Sequence, residues 1–353
     1  MTQVQNAAST STELDHDPHA LIPLPTSAKI VSFIGVTVPF IGFASAMYLL
    51  WGVGFGWLYL SLLLSFYVLT AVGITVGYHR YFCHKSFQAS RPLEIALAIL
   101  GTAAWEGPIL KWCAMHRCHH QHSDTPGDPH SPHHEYGDPS GHDHDDDHPT
   151  DVRGVIRGFF HAHVGWIFKG DPHNLYRYVK DLEQDKTIKF LSDWWWVTSM
   201  AFTILPAIIA FAVTQTWMGL LLGFLWGGLA RIFLVHHVTW SINSVCHLWG
   251  TRPYRSHDFS RNNPIFGLLG LGEGWHNNHH AFPTSARHGL KWWQVDISYY
   301  LIRMFELVGL ASDVRVPNAA RLASKQIDAP SDVVVDRSPS ATPLIPPTVS
   351  SQL

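Results

Sequence analysis

The sequence predicts an all-α integral membrane protein with four transmembrane helices in two hairpins. Three observations predict it. Hydrophobic residues make up 46% of the 353 positions and charged residues only 14%, well below the roughly one quarter usual for soluble domains. The apolar residues gather in four uncharged blocks, at 30–50, 57–77, 194–214 and 217–230, the last running past Arg231 to 238. Each block approaches or, with its continuation, reaches the roughly 20 helical residues that cross a hydrocarbon core about 30 Å thick. Finally, neither 30–79 nor 190–230 contains a lysine or arginine. Both hairpin turns, at 51–56 and around Gln215, therefore lack positive charge, and all 24 basic residues fall on the other side. The positive-inside tendency places that side, with both termini, in the cytoplasm.

The elements follow in order. Residues 1–28 are polar, with proline and acidic residues, and read as a disordered arm. The main domain is expected over 29–325. After the first hairpin, 92–105 is apolar but too short to span, which predicts a re-entrant or interfacial helix. An acidic, histidine-rich low-complexity insert occupies about 131–150 and reads as a solvated loop. Residues 154–190 are expected to be mostly helical, and 294–310 to form an amphipathic helix. The tail from 326 to 353, rich in Pro, Ser, Val and Asp, is expected to be disordered. A net charge of −3 offers no basic field for nucleic acid. No secretory signal is expected, because the first apolar run starts near residue 30 and is too long for an h-region.

The chemistry lies in three histidine clusters: His79 with His84, then His116, His119 and His120, then His276, His279 and His280. In H-x-x-H-H the imidazoles stand at i, i+3 and i+4, which share one helix face. One helical turn is therefore expected to present three nitrogen donors in one direction. Eight imidazoles exceed the four of a closed structural zinc shell and suit two ions better. Imidazole accepts several transition metals, and non-haem iron is the natural choice where O2 is to be activated. Ionisable groups beside a bilayer are costly and read as functional. The fold class is thus completed by a cytosolic helical cap holding a di-metal centre. Cys83, Cys118 and Cys246 each precede a motif histidine; a helical neighbour points about 100° away, so they read as packing residues.

The ordered motifs H-x4-H, H-x-x-H-H and H-x-x-H-H resemble those of the membrane fatty acid desaturase family. Within it, the chain is most similar to bacterial, actinobacterial-type acyl-CoA Δ9 (stearoyl-CoA) desaturases. The strings Gly77-Tyr78-His79-Arg80-Tyr81, the 122–130 segment ending Asp128-Pro129-His130, His163-Val164-Gly165-Trp166, Asn243-Ser244-Val245-Cys246-His247 and Gly272-Glu273-Gly274-Trp275-His276 carry this resemblance over about 30–325. It implies a ninth imidazole, His247, and Asn243 joining the metal shell through a water. It implies two iron ions, O2 as co-substrate, and a cis double bond placed in a saturated acyl chain on CoA or on a lipid, in a bacterial inner membrane with the di-iron site cytoplasmic. No catalytic acid or base is expected beyond the metal ligands. Trp112, Thr239, Trp240 and Glu106 match positions that line the bent acyl tunnel of related enzymes.

The sequence departs from the animal pattern at Ala114 and Met115, where an Arg-Asp pair contacts the carrier, and at Glu106, where the family has Gln. Lys111 and Arg117 flank the site and are candidates for an anionic head group. His161, His163, His236, His237 and His288 fall outside the ligand pattern. No flavin, dinucleotide or haem-domain fingerprint is evident, so electrons are expected from a separate donor such as a ferredoxin or rubredoxin with a flavin reductase. Two other readings share features: a lipid or alkyl hydroxylase with the same histidine logic, and a metal transporter suggested by the insert.

Overall fold

The computed structural model describes residues 21–50, 55–133 and 152–327. Helices dominate them. Four are long and apolar enough to cross a bilayer: α1 (Thr26–Leu50), α2 (Trp57–Cys83), α6 (Trp195–Thr214) and α7 (Trp217–Leu248). Between the hairpins come α3 (Arg91–Thr102), α4 (Ile109–His122) and α5 (Val152–His163). After α7 follow α8 (Pro264–Leu269), α9 (His276–Ala281) and α10 (Ile297–Leu307).

The spans differ in surroundings. α1 and α6 are mostly exposed, with Phe33, Ile34 and Phe40 on one and Met200, Ile204 and Ile208 on the other facing outward. Such exposed apolar side chains suit a lipid-facing surface. α2 and α7 are mostly buried and carry the polar residues. Small residues let the backbones close up. A Cβ on Gly73 of α2 would meet the Gly101 nitrogen of α3 at 2.1 Å, and one on Gly42 of α1 would meet Leu229 of α7 at 2.3 Å.

Each inner span contains a π-helical stretch, Gly73–Cys83 in α2 and Phe224–Ala230 in α7. Wider turns of this kind recur at functional sites. In α2 the stretch holds His79 and ends with the His84 amide donating to the His79 carbonyl at 3.1 Å.

Several expectations need correction. The polar arm does not end at 28: Leu21–Pro23 pairs antiparallel with Gly170–Pro172, and α1 begins at Thr26. The 154–190 stretch is mostly helical, as expected, but it is not continuous. After α5 it breaks into Gly165–Phe168, the strand at Gly170–Pro172, Leu175–Val179, Lys180–Glu183 and Lys186–Asp193. Gly170, Pro172 and the left-handed Asn174 (φ 53°) explain the breaks. A second strand pair, Gln88–Ala89 with Ala311–Ser312, ties the segment after α2 to the one after α10, and α10 itself lies inside the amphipathic stretch expected at 294–310. Ser131 and His133, at the expected edge of the insert, are anchored, to Asp124 and the His247 carbonyl. The turn at 51–54, the insert at 134–151 and the tail from 328 lie outside the described residues.

Candidate metal centre

The inner ends of α2 and α7 converge on α4 and α9, and there the histidines gather into two groups. His79, His84, His116, His120 and His279 offer ligand atoms within 4.8 Å of one another, as do His119, His247, His276 and His280. All nine imidazoles singled out from the sequence are in one of the two.

The three rings of one H-x-x-H-H turn are divided between the two groups. His116 and His120 of α4 join the first group while His119 joins the second. α9 does the reverse, sending His276 and His280 to the second and His279 to the first. The reason is helical geometry. Positions i and i+4 lie about 40° apart, whereas i+3 and i+4 lie about 100° apart. Each short helix therefore straddles both groups and stitches them together.

Carboxylates orient the rings. Nδ1 of His79 lies 2.5 Å from Glu273, His119 3.0 Å from Asp128, His247 2.7 Å from Asp124, and His280 2.5 Å from Asp258. A ring that donates Nδ1–H to a carboxylate presents the Nε2 lone pair on its other side, the arrangement that makes a strong metal ligand. The buried Nε2 atoms of His119 and His280 have no hydrogen-bond partner. Other Nε2 atoms crowd together: His79 and His279 at 2.9 Å, His84 and His116 at 2.8 Å, His120 and His279 at 2.9 Å, His247 and His276 at 3.0 Å. Two nitrogens each about 2.1 Å from one cation and at right angles stand about 3.0 Å apart. The donor set therefore fits two metal ions.

Electrostatics agree. Burial first, then repulsion among the rings, holds His84, His116, His120, His276 and His279 well below the usual imidazole range, so they are neutral donors. Burial alone would raise the carboxyls of Asp124 and Asp258, but attraction to His247 and His280 outweighs it and holds both well below the ordinary carboxylate range.

The carboxylates were not singled out from sequence, although Asp124, Asp128 and Glu273 lie inside the quoted strings. They sit where local backbone aims them. Asp124 is left-handed (φ 57°), Gly127 allows φ 103°, and Asp128 accepts the Asp124 and His130 amides. Asp258 accepts from Ser260 and gave no sequence signal. Behind Glu273, the fully buried Arg80 guanidinium contacts Glu273 at 3.1 Å, Asp296 at 2.8 Å and His288 at 3.1 Å. His288 and Glu273 also lie with His79 in a third ligand-capable group, and His130 with His119 and Asp128 in a fourth. The four cysteines are buried and belong to none of these groups among the described residues.

Two cavities lead away from the histidines and share Trp112, His116, Thr239 and Asn243 in their walls. One runs beneath the metal groups towards Tyr67, whose hydroxyl donates to the Leu269 carbonyl at 2.7 Å. The other runs along α1 past Trp240, Glu106 and Lys111. Trp112 stacks on His116 and its indole N–H donates to Glu106 at 2.9 Å; Trp240 stacks on His236. Lys111 stands in this wall, paired with Asp171 at 2.8 Å. Arg117 pairs with Asp181 and donates to the carbonyls of Phe82, Cys83 and Tyr178. His163 bridges Ser244 and His237, away from both metal groups.

The fatty acid desaturase family model matches residues 55–303. The chain is 39% identical to the hex-5-enoyl-[acyl-carrier protein] acetylenase of Moorena producens, over 82% of this chain and 87% of that protein. It is 36% identical to the Delta-9 acyl-lipid desaturase 1 of Arabidopsis thaliana, over 76% and 78%. With the sn-1 stearoyl-lipid 9-desaturase of Synechocystis sp. it shares 35% identity over 77% and 76%. The chain belongs to the fatty acid desaturase family: it is an integral membrane oxidoreductase of fatty acyl chains.

Proposed function

We propose that this protein is an O2-dependent di-iron desaturase that places a cis double bond at Δ9 of a saturated acyl chain. The observation that carries the reading is the pair of imidazole groups set against an apolar cavity whose walls they share. In this reading His79, His84, His116, His120 and His279 hold one iron. His119, His247, His276 and His280 hold the other, with Asn243 completing its shell through a water. Iron, when bound, supplies the O2 activation through which two hydrogens leave the chain. The protein's part is to hold and place. Glu273, Asp124, Asp128 and Asp258 fix the rings. Trp112, Thr239, Trp240 and Glu106 wall the passage that presents chosen carbons to the iron and keeps water away.

The resemblance in sequence favours a CoA-bound chain, whereas the Arabidopsis and Synechocystis relatives are named for lipid-bound chains. Assay of both carriers with purified protein separates the two. The domain over 29–325 takes its electrons from a ferredoxin or rubredoxin served by a flavin reductase, and turnover with NADPH alone would refute this. The proposed setting is a bacterial inner membrane with the termini and the site on the cytoplasmic face, an orientation that the distribution of basic residues supports.

Lipid profiling of a desaturase-deficient host expressing this chain tests the whole reading. A Δ9 monounsaturated product is expected. An alcohol without a new double bond would assign the protein to lipid hydroxylation instead.

A further inference from the structure

Glu106 is a carboxyl in the wall of a largely apolar passage. It sits in a tight turn between α3 and α4, with Trp105 at φ 66° and Gly107 at φ 97°. A left-handed Trp is uncommon and must be held in place. The turn is held from three sides. Arg231 donates to the Ala103 carbonyl at 2.8 Å, His236 lies 3.0 Å from the Trp105 carbonyl, and the Trp105 indole donates to Thr203 at 2.8 Å. The turn therefore aims the Glu106 carboxyl into the cavity wall. Oε2 accepts from the Trp112 indole, while the buried Oε1 has no partner.

A carboxylate facing an alkyl chain with one oxygen unsatisfied is costly, whereas the neutral acid is far less so. Resting on the acyl-tunnel reading above, we propose that Glu106 is a specificity-determining residue that admits a hydrocarbon chain only as the neutral acid, so that chain binding takes up one proton from solvent.

Burial raises the carboxyl to about 7, against the neighbouring Thr239 hydroxyl and the Trp112 indole, which hold it down. The other titratable groups in this wall do not take its place. Lys111 and Asp171 pair with each other at 2.8 Å. His236 is committed to the Trp105 carbonyl. His116 and His130 are held far below the usual imidazole range, by burial first and then by neighbouring histidines. The α1 residues of the wall carry no titratable side chain.

The test uses full-length purified protein in detergent. Dissociation constants for stearoyl-CoA and for distearoylphosphatidylcholine are measured from about pH 5.5 to about pH 9 on the wild type and on Glu106→Gln. Above neutrality the wild type should lose affinity by about tenfold per pH unit relative to the Gln variant. Calorimetry of the wild type near pH 8, in buffers of different ionisation enthalpy, should show uptake of about one proton per chain bound. Parallel pH profiles for the two proteins, or no proton uptake, would overturn the proposal and leave the desaturase reading standing. Failure of the wild type to bind either compound at any pH would overturn the tunnel reading and this inference together, whereas Δ9 products in the expressing host would still stand for the function.

Discussion

The two imidazole groups differ in how they are braced. In the group of four, three rings lean on carboxylates: His119 on Asp128, His247 on Asp124 and His280 on Asp258. In the group of five, the carboxylate that the described ion pairs supply is Glu273 on His79, itself shared with Arg80. The first arrangement brings negative charge up to a cation; the second relies on an extra neutral nitrogen. Braced rings hold their aim without the ion, and the group of five gains its fifth ring from α9, across the junction. The two groups are therefore unequal in charge yet mechanically joined, and each can be attacked separately.

The largest effect should come from the stitching residues. His119→Ala and His279→Ala each remove a ring that α4 or α9 sends across to the other group, and both should abolish the double bond and lower bound iron. Metal analysis beside product chromatography checks this, and a fully active His119→Ala would break the ligand assignment. Next come the braces. Asp258→Asn should weaken the group of four, and Glu273→Gln the group of five, by roughly 10- to 100-fold in metal affinity. Competition with a chelator reads this out, and loss from both groups at once would blur the comparison.

A third effect is pH. In the metal-free protein, His84, His116, His120, His276 and His279 have folded pKa values well below the ordinary one. Below about pH 6.5 the unfolded chain binds protons that the folded chain refuses, so stability falls as pH drops. Asp124 and Asp258, whose folded values are depressed, add stability above the ordinary carboxylate range that is lost only towards their own low values. Melting temperature should decline from about pH 6.5 downward; a flat profile to pH 5 would contradict neutral buried rings. The smallest effect is expected for His144→Ala, in the insert beyond the described residues, which should leave product levels unchanged.

Much of this was legible in the sequence because the signals are local. Uncharged runs mark the spans, and histidines at i, i+3 and i+4 mark ring-bearing helices. What was not legible depends on packing. The spacing of His116, His119 and His120 says that they share a face, not that the third-on ring turns towards a different partner. Asp258 meets His280 only because the loop after α7 folds back over α9. The pairing of Leu21–Pro23 with Gly170–Pro172 joins segments far apart in the chain, with no alternation long enough to announce a strand.

The most direct measurement is the iron content of the purified protein and of His279→Ala. The division of nine rings into five and four predicts two irons per chain in the wild type and fewer in the variant. One iron per wild-type chain, or two retained in the variant, would contradict it.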